Sequence, residues 1–220
     1  MIGATVDFYT ATLVWGLLWH LVLHVGEGPR AISTQYRINF WHGMVSTAMA
    51  SLCLLGVVGE SITVPCSLGY FVTDVCNMLL NDFRYRVASY QGPTARKAEY
   101  FHHVLCIAVC LASQLYHRSA CHMETDPVVR IMFAEVSTPF LILFRQTKRQ
   151  LYGVLFLITF LLCRTVYQCF FLMPEIFVAC PRSIGFMLVC PYILLQLYFT
   201  YEVVSRASRG ADATKKTKNL

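Results

Sequence analysis

Charge is what this chain has least of. Asp, Glu, Lys and Arg make up 14% of its 220 residues, against about 25% in an ordinary soluble domain. With 56% hydrophobic residues, the deficit puts the chain in the membrane class. No Cys-x-x-Cys pair occurs among the ten cysteines, so zinc ribbons and redox motifs are not indicated. No Asn-x-Ser/Thr sequon is present. The first apolar run lacks a basic n-region and a small-x-small cleavage site, so it is expected to stay as a span. Internal repeats and long linkers are also missing, and nothing divides the chain between spans.

What is present is a series of long apolar runs. They predict an all-α, polytopic membrane helical bundle with seven transmembrane helices. The runs are Phe8–Val25, Phe40–Val58, Ile62–Asn81, Tyr100–Tyr116, Pro127–Phe144, Leu151–Met173 and Ile184–Val204. Each has the length a helix needs to cross hydrocarbon, and open sheets would leave backbone groups unpaired there. Pro139 and Pro191 fall inside spans and are expected to kink them. The net charge of +6 does not imply nucleic acid, because the basic residues sit in loops. Arg30, Arg37, Arg84, Arg86, Arg96, Lys97, Arg145, Lys148 and Arg149 follow the odd-numbered spans, and Arg206, Arg209, Lys215, Lys216 and Lys218 lie in the tail. Fourteen on that side face three on the other, Arg118, Arg130 and Arg182. The positive-inside rule then puts the C-terminus in the cytosol and the N-terminus in the lumen. Most cysteines fall inside spans as small hydrophobes. Cys66, Cys121 and Cys180 fall near the lumenal side, where a disulfide is open to them. Lys216 and Lys218 resemble a cytosolic dilysine retrieval signal; the plainer reading is a basic tail touching anionic lipid.

Ionisable residues within spans suggest function by default. His102 and His103 open the fourth span. Tyr70, Asp74, Asn77 and Asn81 recur at helical spacing and share a face of the third. His20, His24 and His42 lie at similar depth, within roughly 10 Å of the cytosolic boundary at 1.5 Å per residue. One layer is thus expected to collect five histidines and an aspartate. An imidazole there suits a general base or nucleophile, with Asp74 holding its second nitrogen. Glu135 and Arg164 fall mid-span on sequential antiparallel helices, where they can meet. They form either a structural ion pair or a hold for a polar substrate group. Metal is disfavoured, because His117 and His122 lie on the opposite side and too few ligands remain on one face.

These residues resemble a family. Tyr36-Arg37-Ile38-Asn39-Phe40-Trp41-His42-Gly43-Met44-Val45-Ser46-Thr47 resembles the opening of a TLC domain, named for the TRAM, Lag and ceroid-lipofuscinosis membrane proteins. Gly69-Tyr70 with Asp74 is similar to its third-helix signature, and Glu99 to Val104 to its His-His helix. Glu135-Val136-Ser137-Thr138-Pro139-Phe140 is similar to its fifth-helix motif, and Phe160 with Arg164 to its sixth. The resemblance divides the chain into a first helix and cytosolic loop (1–35), a TLC domain of six transmembrane helices (36–204) and a basic cytosolic tail (205–220). Ceramide synthases of this family place His-Asp-x-Ser-Asp where this chain has Ala134-Glu135-Val136-Ser137-Thr138. Both acidic positions differ, and the surrounding sequence is closer to the small TLC-domain proteins of lipid homeostasis.

The resemblance implies an endoplasmic-reticulum membrane protein that binds lipid or acyl chains in an intramembrane cavity. Acyl-CoA would be a substrate rather than a bound cofactor. His102, His103 and Asp74 would be the catalytic group of an acyltransferase. His42, Tyr70, Asn77, Glu135 and Arg164 would line the lipid site, with Arg84, Arg86, Arg96 and Lys97 facing the CoA phosphates. A non-catalytic sorting receptor for ER–Golgi traffic and a ceramide synthase are the alternatives. Expected partners are membrane lipid, trafficking machinery through Lys216 and Lys218, and a second copy in a homodimer.

Overall fold

The computed structural model describes residues 2–26, 28, 32–86, 93–120, 123–180 and 190–205. The basic tail, with Lys216 and Lys218, lies outside the described residues. Among the described residues all regular structure is helical and forms seven rods. These are α1 (Ile2–His24), α2 (Ile32–Leu54), α3 (Glu60–Tyr85), α4 (Pro93–Ala120), α5 (Pro127–Thr147), α6 (Gln150–Ala179) and α7 (190–205). Four are long and apolar enough to cross a membrane: α3, α4 over Arg96–Leu115, α5 and α6. The helices α1 and α2, each of 23 residues, have the length but interrupt their apolar runs with His20, His24, Gln35, Arg37 and His42. Several helices overrun the expected spans. One is α2, which begins at Ile32, and another is α6, which continues to Ala179. A polar turn reads as loop in a sequence, yet it extends a helix at no loss of backbone hydrogen bonds.

The distribution of side chains is inverted relative to a water-soluble bundle. Leu13, Leu17 and Leu21 form an outward stripe on α1 at 70%, 65% and 61% exposure. Thr34, Ser46, Thr63, Gln168 and Gln196 are fully buried. Apolar outside and polar inside is the arrangement that suits lipid, where interhelical polar contacts hold helices together.

Local chemistry sets the ends and bends. Asp126 caps α5, its Oδ1 accepting from Val128 N at 2.8 Å, with Pro127 in the first turn; Pro there loses no helical bond. The guanidinium of Arg37 donates to the carbonyls of Val22 and Val25, the last turn of α1. It satisfies orphan carbonyls and complements the negative end of the helix dipole. Pro139 offers no N–H to the Glu135 carbonyl, and the preceding turn, Phe133–Val136, tightens to 3-10 geometry. Within α6, Phe160–Leu172 is wound as a π-helix, and its buried residues are Phe160, Arg164, Gln168 and Leu172. An ideal α-helix would rotate such a four-residue stripe by about 40° per step. The wider turn keeps it pointed at the bundle interior.

Close approaches fix two helix pairs. A Cβ on Gly69 would lie 2.8 Å from the Gly16 amide nitrogen, so α1 and α3 meet backbone to backbone. A Cβ on Gly43 would lie 2.6 Å from Pro139 Cδ, where α2 crosses α5. Cys180, at the end of α6, is disulfide-bonded to a partner outside the described residues. Cys66 is a buried free thiol.

Candidate functional site

The polar face of α3 points inward as its spacing implies, with Tyr70, Asp74, Asn77 and Asn81 all buried. Its partners come from α2 and α4. Tyr70 Oη donates to Asn39 Oδ1 at 2.5 Å and stands 3.5 Å from Asp74 Oδ2. The His42 ring stacks on Tyr70, centroids 3.5 Å apart and 9° from parallel. Ser67 Oγ lies 3.5 Å from His42 Nε2 and 3.1 Å from Ser46 Oγ. Trp19 of α1 closes this side, edge-on to both rings, with its indole N–H donating to Cys66 O at 3.0 Å.

The adjacent histidines diverge. His103 is buried, its Nδ1–H donating to the Glu99 carbonyl at 2.9 Å and its Nε2 2.9 Å from Asp74 Oδ2. The Nε2–H vector points off the oxygen, so this contact is a close pair and not a linear hydrogen bond. Glu99 O is an acceptor only, which fixes a proton on Nδ1. Nδ1 of His103 is thus bonded to the backbone of its own helix, and Nε2 stands against the Asp74 carboxylate. His102 turns the other way. Its ring nitrogens lie 3.6 and 3.8 Å from Cys106 Sγ, and its ring meets Phe71 and, across on α7, Phe199. Of the three clustered histidines, His102 is the one whose nitrogens meet no oxygen among the described residues. His20 and His24 are exposed, their rings tilted against each other with centroids 4.3 Å apart on the outer face of α1. The layer thus holds three histidines and not five, because the inward face of α1 presents Trp19 and Leu23 instead.

Glu135 and Arg164 meet at 2.7 Å. Thr138 Oγ1 donates to Glu135 Oε2 at 2.7 Å and accepts from Arg164 at 3.2 Å, while Arg164 Nε reaches Ala134 O and Ser137 Oγ, each at 3.3 Å. Both carboxylate oxygens of Glu135 and the Nε and Nη2 of Arg164 are drawn into one network, the condition for a charge pair to persist in low dielectric. Glu135 and Arg164 also lie within electrostatic reach of His42 and His102, so the pair and the histidine layer adjoin.

The basic residues at the C-terminal end of α3 and the N-terminal end of α4 separate. Arg84, Arg86 and Lys97 are exposed. Arg96 is held: it grips Asp82 with two bonds, at 3.0 and 3.1 Å, and Glu99 at 2.9 Å, and Tyr100 Oη adds a bond to Asp82 at 2.8 Å.

Polar residues missed by the sequence reading complete the interior. Gln168 Nε2 donates to Ile131 O at 2.9 Å, and Tyr192 Oη donates to Gln168 Oε1 at 2.6 Å, tying α6 to α5 and α7. The spacing of Gln168 one turn after Arg164 was the available signal. Comparison of the chain with protein-family models, curated proteins and solved structures finds no match.

Proposed function

We propose that the chain is a seven-span endoplasmic-reticulum membrane protein of the TLC kind, N-terminus lumenal and C-terminus cytosolic, that binds an acyl lipid beside His102 and serves lipid homeostasis. The observation that carries the reading is His102 itself. Of the three clustered histidines it is the one whose nitrogens meet no oxygen among the described residues, in a setting of aromatic rings and paired charges. An oxygen-bearing lipid group is what such an imidazole would bind. The inverted burial pattern supports the membrane assignment, and the disulfide at Cys180 supports a lumenal end for α6, since thiols oxidise on that side.

The chemistry open to this arrangement is acyl transfer from acyl-CoA. His102 would take the proton of the acceptor's hydroxyl or amine as it attacks the thioester carbon, and return it to the CoA sulfur as the C–S bond breaks and CoA leaves as the thiol, with the CoA phosphates over Arg84, Arg86 and Lys97. His103 and Asp74 would hold the layer in register as positioning residues. Arg96 is committed to Asp82 and Glu99 and is left out of the CoA contact. N-acylation of a sphingoid base is disfavoured, because the second acidic residue of that pattern is Thr138, whose hydroxyl is bound to Glu135. Lys216 and Lys218 favour a second reading, a non-catalytic sorting receptor that recycles through the tail.

The test is lipidomics of cells lacking the protein, rescued with wild type, His102→Ala or a Lys216→Ala/Lys218→Ala tail variant. Wild type is expected to restore acyl composition and His102→Ala to fail at equal abundance. Full rescue by His102→Ala sinks the lipid-site reading; failure of the tail variant alone favours sorting.

A further inference from the structure

Gln196 of α7 is fully buried, at 0% exposure, and neither its Nε2 nor its Oε1 has a hydrogen-bond partner among the described residues. A carboxamide taken out of water with both ends unpaired is costly to keep. Its surroundings are already committed. One turn before it, Tyr192 is bonded to Gln168. One turn after it, Thr200 Oγ1 pairs with Thr165 Oγ1 at 2.9 Å and with the Gln196 backbone carbonyl at 2.7 Å. Between them, Phe199 reaches across to His102. Gln196 therefore sits in the seam where α7 closes over α6 and α4, on the same side of the bundle as His102.

Resting on the reading that a lipid lies beside His102, we infer that Gln196 anchors that lipid's head through a neutral group that both donates and accepts a hydrogen bond, a hydroxyl or an amide. The two orphan atoms set this requirement: Nε2 needs an acceptor and Oε1 needs a donor. An ester or thioester carbonyl accepts only and would leave Oε1 unpaired. A charged head is disfavoured, because the nearby charges of Glu135 and Arg164 already neutralise each other and a third would stay unpaired in low dielectric. Gln196 thus selects the acceptor lipid, not the acyl thioester.

The test uses the full chain purified in detergent and displacement of a fluorescent fatty-acyl probe by monopalmitoylglycerol, palmitamide and methyl palmitate. The hydroxyl or the amide head, or both, is expected to displace the probe at concentrations roughly tenfold or more below the methyl ester. The difference between those two heads identifies the natural one. Gln196→Leu and Gln196→Met are expected to abolish that preference, leave methyl ester displacement unchanged, and raise the melting temperature of the lipid-free protein. Equal displacement by all three compounds overturns the inference and leaves lipid binding standing. A preference that survives in both variants also overturns it. If none of the compounds displaces the probe, or the probe does not bind, the lipid reading itself fails.

Discussion

His103 and Asp74 belong together, because each has been taken out of water against the other. Removing one partner of such a pair leaves a buried polar group uncompensated, at about 3–5 kcal/mol. Asp74→Ala is expected to lower stability by about 3 kcal/mol, measured as denaturant unfolding in detergent followed by Trp fluorescence. A loss near zero would mean that the pair is not formed. For the second pair the comparison is between single and double variants. Glu135→Leu alone is expected to cost about 3 kcal/mol, and adding Arg164→Met is expected to recover most of it. Additive losses would show that the two do not share their energy. These charged residues were legible in the sequence because an ionisable side chain stands out in an apolar run. Gln168, Tyr192 and Gln196 were not, since neutral polar side chains are common in such runs and their meeting depends on how α6 and α7 face each other. His20 and His24 were misplaced for a related reason. Depth follows from counting residues, but the face of α1 that turns inward is decided by packing, and Trp19 won it.

At the scale of elements, two glycines with similar sequence contexts play different parts. A Cβ on Gly16 would meet Thr73 Oγ1 at an ordinary 3.8 Å, whereas one on Gly69 would strike backbone at 2.8 Å. Gly16→Ala is expected to be tolerated and Gly69→Ala to cost about 1–3 kcal/mol through separation of α1 from α3, compared by melting temperature in one detergent. Equal effects would show that the helices do not approach as closely as described. The existence and order of the helices were readable from apolar runs of spanning length. Their ends were not. The runs mark where lipid must be matched, while a helix ends where a cap or a left-handed residue stops it, as Lys148 does after α5 at φ 57°. The π-helical winding of α6 had one trace, the four-residue repeat from Phe160 to Leu172, which an α-helical template reads as drift.

For the whole molecule, the prediction concerns how the proposed seven spans thread the membrane. In the proposed topology the α2–α3 turn faces the lumen and the α5–α6 turn the cytosol. A glycosylation sequon on a Gly/Ser spacer inserted after Val57 is expected to gain a glycan in cells, and the same insertion after Lys148 is not. A glycan at Lys148 would invert or break the seven-span topology. The central claim, that an acyl lipid enters the bundle beside His102, is tested most directly by photolabelling. A diazirine-bearing fatty-acyl probe would be crosslinked to the purified full chain, and the labelled peptides identified by mass spectrometry. Competable labelling is expected on the α4 segment around His102–Cys106 and on α7 around Gln196–Phe199, with excess unlabelled lipid abolishing it. Labelling confined to the outward Leu13, Leu17 and Leu21 stripe of α1, unaffected by competitor, would contradict it.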